Sequence, residues 1–143
     1  MTSATAGPGF LLKMGDGAGP EVFTTLAEVK DIRGPAVKVD TEDATNQSSP
    51  DSTEEIIPTI IRPGEVTFDV NFIPGDATHN QTTGFLYHVW AKTLKHWRLY
   101  LNNVASNYWA FSGYVTGFDG SLPVAGISTG AVTIKITGKP VLN

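Results

Sequence analysis

Eight consecutive residues, Glu65-Val66-Thr67-Phe68-Asp69-Val70-Asn71-Phe72, alternate polar and apolar without a break. Successive side chains leave a strand on opposite sides, so this period of two predicts a strand with one buried and one wet face. The stretch 131–137 repeats the pattern, with Val132, Ile134 and Ile136 set against Thr133, Lys135 and Thr137. Segments 10–14, 97–101 and 108–118 read as further strands. The β-branched content of 22–32 also suggests a strand, although its spacing is equally compatible with a helix. Gly34-Pro35 ends that segment.

The period changes over 80–95. Leu86, Trp90, Leu94 and Trp97 recur at helical spacing while His88, Lys92 and Lys95 fall opposite, which predicts one amphipathic helix lying flat on a sheet. Asp76 or Thr78 stands where such a helix is capped. Between 37 and 60 the pattern lapses. Residues 40–55 hold six acids (Asp40, Glu42, Asp43, Asp51, Glu54 and Glu55), no base and no large apolar side chain. This predicts a long loop with nothing to pack itself on, whose order comes from a partner. Residues 1–9 are small and read as a flexible arm. The order of strands, loop, strand, helix and strands predicts one mainly β domain over 10–143, a β-sandwich or barrel with a single flanking helix.

Composition sharpens this picture. At 143 residues there is room for one hydrophobic core. Fifteen glycines and nine prolines beside only 17% charged residues favour a turn-rich β protein over a helical bundle. The net charge of −4 repels nucleic acid, which excludes a sequence-reading DNA binder but not contact with DNA that slides. The absence of cysteine removes disulfides, thiolate metal sites and cysteine nucleophiles together. No basic start followed by an apolar run marks a signal peptide, and no run is long enough to span a bilayer, so the expectation is a soluble protein made in the cytoplasm. Asn46-Gln47-Ser48 and Asn80-Gln81-Thr82 are then chance matches to a glycosylation signal.

Little in the chain suggests catalysis. Gly15-Asp16-Gly17-Ala18-Gly19-Pro20 lacks the spacing of a dinucleotide fingerprint and the Lys-Ser/Thr of a phosphate loop, and reads as a turn. Asp16-Gly17 lacks the spaced acids and closing Glu of a calcium loop. His88 and His96, two helical turns or roughly 12 Å apart, cannot share a metal, and with His79 they read as surface residues. The loop carboxylates have nothing to desolvate them for acid–base work. No serine sits in a nucleophile elbow. The aromatics Trp90, Trp97, Tyr108, Trp109, Phe111 and Tyr114 read mostly as core rather than as a sugar-stacking platform. No enzyme, metal or cofactor is expected.

The series Gly15-Asp16-Gly17-x-x-Pro20-Glu21-x-Phe23-Thr24-Thr25-Leu26, Ile32-x-Gly34-Pro35, Pro63-Gly64-Glu65-Val66-Thr67-Phe68, Asp76-Ala77-Thr78-His79, Trp109-Ala110-Phe111-Ser112-Gly113-x-Val115-Thr116-Gly117-Phe118 and Val132-Thr133-Ile134-Lys135-Ile136-Thr137-Gly138-Lys139-Pro140 resembles the major tail tube protein of long, non-contractile-tailed bacteriophages. The resemblance runs from Phe10 onwards. It implies a tail-tube β-sandwich whose hexameric rings stack into a hollow conduit, a virion protein assembled in the host cytoplasm. The partners it implies are further copies of the chain, other tail proteins at the tube ends, a tape measure protein, and genomic DNA passing without sequence recognition. It makes 37–60 an inter-ring loop carrying Asp40, Glu42, Asp43, Asp51, Glu54 and Glu55. Glu65, Thr67, Asp69 and Asn71, with Thr133, Lys135 and Thr137, become the expected lumen-facing set. His88, Lys92 and Lys95 become an outer helix face for subunit contact. The rival reading is a monomeric β-sandwich that binds carbohydrate or cell surfaces.

Overall fold

The computed structural model describes residues 10–101 and 107–143, so the arm expected at 1–9 lies outside the described residues. Chain order is β1 (Leu11–Gly15), β2 (Phe23–Thr25), β3 (Val29–Arg33), β4 (Lys38–Asp43), a 3-10 turn (Pro50–Ser52), β5 (Ile56–Arg62), β6 (Glu65–Asn71), α1 (Phe85–Ala91), β7 (Lys95–Tyr100), β8 (Tyr108–Ser121) and β9 (Thr129–Leu142). Seven strands form an antiparallel sheet in the order β2-β1-β7-β8-β9-β6-β3, and β4 pairs with β5 as a separate ribbon. The mainly β architecture with one flanking helix is as the sequence predicts.

The two edge strands, β2 and β3, are consecutive in the chain with only residues 26–28 between them. At ~4.8 Å per strand spacing, the edges of a flat seven-stranded sheet would lie ~29 Å apart. The four steps from Thr25 to Val29 reach at most ~14 Å. The sheet therefore has to curl until its edges approach, which makes it barrel-like. The connector bonds to both sides: the Leu26 N–H donates to the Leu12 carbonyl (2.9 Å) and the Asn71 N–H donates to the Glu28 carbonyl (3.0 Å). The segment 22–32 is thus two strands at opposite edges rather than one element. Its break is hidden in the sequence because Leu26 is apolar and buried.

Inside the curl, Val66, Phe68 and Val70 of β6 and Val132, Ile134 and Ile136 of β9 are buried, joined by Leu12, Trp97, Leu99, Phe111 and Val115. The register sets Val66 opposite Ile134 and Phe68 opposite Val132, so the alternation of the sequence becomes facing core pairs. The Trp97 indole N–H is satisfied by the Gly113 carbonyl at 3.2 Å.

The helix is shorter than the expected 80–95 and differs in phase. Phe85 and His88 are its buried residues, whereas Trp90 is 70% exposed and Trp97 belongs to β7. Counting His88 as polar shifted the apparent apolar stripe by about a third of a turn. Gly84 occupies the N-cap with no side-chain cap bond. Asp76 does not cap the helix; its Oδ1 accepts from the Thr78 N–H (2.8 Å) and hydroxyl (2.5 Å). The Asn80 Oδ1 organises the entry turn instead, accepting from the Thr83 and Gly84 N–H groups at 2.7 and 3.1 Å.

β4 and β5 extend the β3–β6 hairpin out of the sheet. The bend is built on two glycines in left-handed conformations, Gly34 (φ 114°) and Gly64 (φ 79°). A side chain on Gly34 would run into the Glu65 carbonyl oxygen, and one on Gly64 into the Ala36 carbonyl oxygen. Only glycine permits the two backbones to come this close here.

Candidate functional site

Two surfaces stand out: the arm formed by β4 and β5, and the polar face of the sheet. In the arm, every residue of β5 is exposed. Val37, Val39, Ile56, Ile57, Ile60 and Ile61 are between 44% and 64% exposed, so both sides of the ribbon carry apolar side chains with little packed on them. Lys38 opposes Arg62 at its base and Asp43 opposes Ile56 near its tip.

The long loop expected at 37–60 is in part a paired ribbon, β4 against β5. Its short polar side chains bond to their own backbone, as Asp, Asn, Ser and Thr do readily in turns. Asp43 accepts from the Thr45 N–H (2.8 Å), and the Thr45 side chain, then this backbone bond, lower the Asp43 pKa from the ordinary carboxylate value. Asn46 accepts from the Ser48 N–H (2.8 Å). Ser49 Oγ donates to Glu55 Oε2 (3.0 Å), and Thr45 Oγ1 accepts from the Glu55 N–H (2.8 Å). The acids do not act as a cluster. Asp40 pairs with Arg62 at 2.6 Å, Glu42 and Asp43 face Ile57 and Ile56 across the ribbon, Asp51 lies in the 3-10 turn, and Glu54 is exposed just beyond it.

The expected lumen set, by contrast, is brought together on one surface. Glu65, Thr67, Asp69 and Asn71 leave β6 on the side opposite its buried residues, and Thr133, Lys135 and Thr137 do the same on β9. Register places Glu65 opposite Lys135 and Thr67 opposite Thr133. Asp31 and Arg33 of β3 join Thr67, Asp69 and Thr133 of this set around a polar cleft of about 470 Å³.

His88, Lys92 and Lys95 do not form a helix face. His88 is buried, Lys92 is the exposed left-handed C-cap (φ 54°), and Lys95 opens β7. Nor are the histidines all surface residues. His79 is fully buried, and only His96 is exposed, 2.8 Å from Glu21. Nothing in the spacing of the sequence marks His79 as a core residue, since the carbonyl that binds its Nε2, that of Ala27, lies 52 positions away in the chain.

His88 Nδ1 has no hydrogen-bond partner among the described residues. Burial, then the nearby Lys95 charge, pushes its pKa below the ordinary 6.5. The unfolded chain therefore takes up this proton more readily than the folded one. The stability this ring confers is complete above about pH 6.5 and is lost as the pH falls from there through the lower folded-state pKa. Thermal melts at about pH 7.5 and pH 5 should show a drop of a few degrees that His88→Gln reduces. An identical drop in the variant would refute the assignment.

The glycine run is the connection between β1 and β2. Asp16 Oδ1 accepts from the Ala18 and Val22 N–H groups (2.9 and 3.1 Å), and Glu21 Oε2 accepts from the Gly17 N–H (2.9 Å). These amides are occupied by the chain's own carboxylates, which is the turn reading rather than a phosphate cradle, and the Ala18 and Val22 bonds lower the Asp16 pKa. Among the described residues no three His, Cys, Asp or Glu side chains are placed to hold a metal ion, and no helix is long and apolar enough to cross a membrane.

Comparison with known proteins bears on these surfaces. No curated protein matches the sequence. Among solved structures, the tail of an empty gene transfer agent particle, refined with C6 symmetry, superposes with a TM-score of 0.76 at 15% identity over 98% of this chain and 99% of that one. The sheath-tube complex of an extracellular contractile injection system gives 0.73 at 12% identity, over 100% and 93%. The SPP1 tail tube gives 0.63 at 10% identity, over 98% and 79%. At these identities the likeness establishes the fold. The sequence profile described as "Lambda phage tail tube protein, TTP" matches residues 13–143, nearly the whole chain, and covers the glycine turn, the arm and the polar face together. The chain belongs to the lambda phage tail tube protein family, a structural component of the virion tail rather than an enzyme.

Proposed function

We propose that six copies of this chain close into a ring, that rings stack into a hollow tail tube, and that the tube conducts DNA into the host cell. The arm is the observation that carries this reading. An isolated two-stranded hairpin is at best marginally stable in water, and a large exposed apolar patch marks an interaction surface. An arm set off from the sheet at two left-handed glycines, with six exposed Val and Ile side chains, is suited to reach another subunit. The short edge strands, three residues in β2 and five in β3, approach each other in the curled sheet but are not hydrogen-bonded to one another, which leaves ring closure free to add pairing there.

The polar face of β6 and β9 makes the best lumen wall. Beside its hydroxyls and an amide it offers three carboxylates, Asp31, Glu65 and Asp69, against two cations, Arg33 and Lys135, so a passing duplex meets no excess of positive charge to exchange its counterions for. We expect Asp69→Lys to leave ring stacking intact and to slow DNA passage. Ejection assays on particles carrying the variant test this, and normal ejection would remove this face from the lumen.

Head-to-tail stacking leaves unlike ends, so different tail proteins close the two ends, and a tape measure protein occupies the lumen before DNA. Negative-stain microscopy of the purified chain tests the core of the proposal. Rings and tubes are expected, whereas monodisperse small particles would favour the monomeric carbohydrate- or cell-binding alternative.

A further inference from the structure

The turn between β8 and β9 runs Leu122-Pro123-Val124-Ala125-Gly126-Ile127-Ser128, without a charge. Leu122, Val124 and Ile127 on it are 78%, 109% and 65% exposed. Most hairpin turns are polar, because their residues face water with nothing to pack on. This one is an apolar knob.

An apolar cleft of about 520 Å³ lies at the other end of the same two strands. Val37, Ile61 and Pro63 from the base of the arm line one side, and Trp109, Lys139 and Pro140 from the start of β8 and the end of β9 line the other. Thirteen residue steps separate Trp109 on β8 from Leu122 just past its end, which at the strand rise is about 40 Å. The register holds β8 against β9 along that length, from Trp109 opposite Leu142 to Ser121 opposite Thr129.

A projection and a recess at opposite ends of one stiff element make a heterologous contact. Repeated from copy to copy, such a contact builds an open stack that grows along one direction, which is what a tube of rings requires. The charges agree with the shapes. Asp119 stands exposed just before the knob, and Lys139 stands exposed at the rim of the cleft. Resting on the stacked-ring reading above, we infer that the β8–β9 knob of each subunit seats in the cleft between arm and sheet of a subunit in the next ring, with Asp119 meeting Lys139 of that neighbour.

The absence of native cysteine allows a clean test. Val124→Cys and Ile61→Cys, both at exposed positions, are made as separate variants, mixed as monomers, assembled and treated with a short bis-maleimide. Proximity in the tube should give the mixture about tenfold more cross-linked dimer than either variant alone. A chain carrying both substitutions should give a ladder of multimers. Lys139→Glu should weaken assembly, and adding Asp119→Lys in the same chain should restore it. Tubes that form without the mixed adduct would overturn the knob-in-cleft contact and leave the tube reading standing. A Val124→Cys variant that cross-links equally well to itself would show the turns meeting each other, and would overturn it too. If the unsubstituted chain forms no tubes, the stacked-ring reading falls and takes this contact with it.

Discussion

Replacing Ile56, Ile57 and Ile60 together with serine should abolish tube formation and leave the monomer folded. These side chains are 55%, 55% and 58% exposed, so within one subunit they contribute little to the core. Covering the exposed half of each against a neighbour would contribute about 1 kcal/mol, given that full burial of such a side chain is worth roughly 1.5–3 kcal/mol. Three of them amount to about 3 kcal/mol per contact, or roughly a hundredfold in the association constant. A stacked assembly repeats that loss at every subunit, so the concentration needed for polymerisation rises at least as steeply. Pelleting and microscopy across a concentration series measure the assembly, while a thermal melt of the monomer should stay within a few degrees of the parent. Tubes at the parent's concentration would show that the arm is not an assembly surface. A collapse of the monomer's melting temperature would show that the isoleucines serve the subunit instead.

The same isoleucines show how far this fold is legible in the sequence. In β6 and β9 the period of two is clean because one face meets the core and the other water, and the structure pairs those faces residue for residue. In the arm neither face meets a core, so Ile56, Ile57, Ile60 and Ile61 follow no period, and residues 40–55 look like a featureless acidic loop. The ribbon becomes visible only through cross-strand register. The helix illustrates a different loss. Its period is present, but a buried histidine reads as polar and moves the stripe, leaving Trp90 outside and His88 inside. Of the two proposed surfaces, the seven-residue polar face follows from strand alternation alone. Asp40, Glu42, Asp43, Asp51, Glu54 and Glu55 share a loop in the sequence but are distributed along the arm and its tip in space. The closure of the barrel has no local signature, since it depends on contacts between residues about fifty positions apart.

That closure gives the largest expected loss of stability: His79→Ala should cost about 4 kcal/mol, much of the 5–15 kcal/mol typical of a domain. The His79 ring is fully buried where the curled sheet brings its edges together. Nε2 donates to the Ala27 carbonyl at 2.6 Å and Nδ1 accepts from the Ile73 N–H at 3.1 Å, which fixes the tautomer. The ring also stacks on Phe72, with centroids 6.0 Å apart, and leans on Phe85 at 5.2 Å. Alanine would leave two backbone groups without partners, each worth about 1–3 kcal/mol when buried, and would open a ring-sized void beside two aromatics. The neighbouring Thr78 bonds the same connector once, its Oγ1 accepting from the Ala27 N–H at 3.1 Å. Thr78→Val should therefore cost only about 1–2 kcal/mol by the same reasoning. Urea unfolding of the two variants measures the ranking, and hydrogen exchange at residues 26–28 locates the damage. If His79 holds the edges together, exchange there rises in His79→Ala well before the β6–β9 ladder opens. Uniform acceleration over the whole sheet would mean instead that the ring is ordinary core filling, and that the short connector closes the barrel on its own.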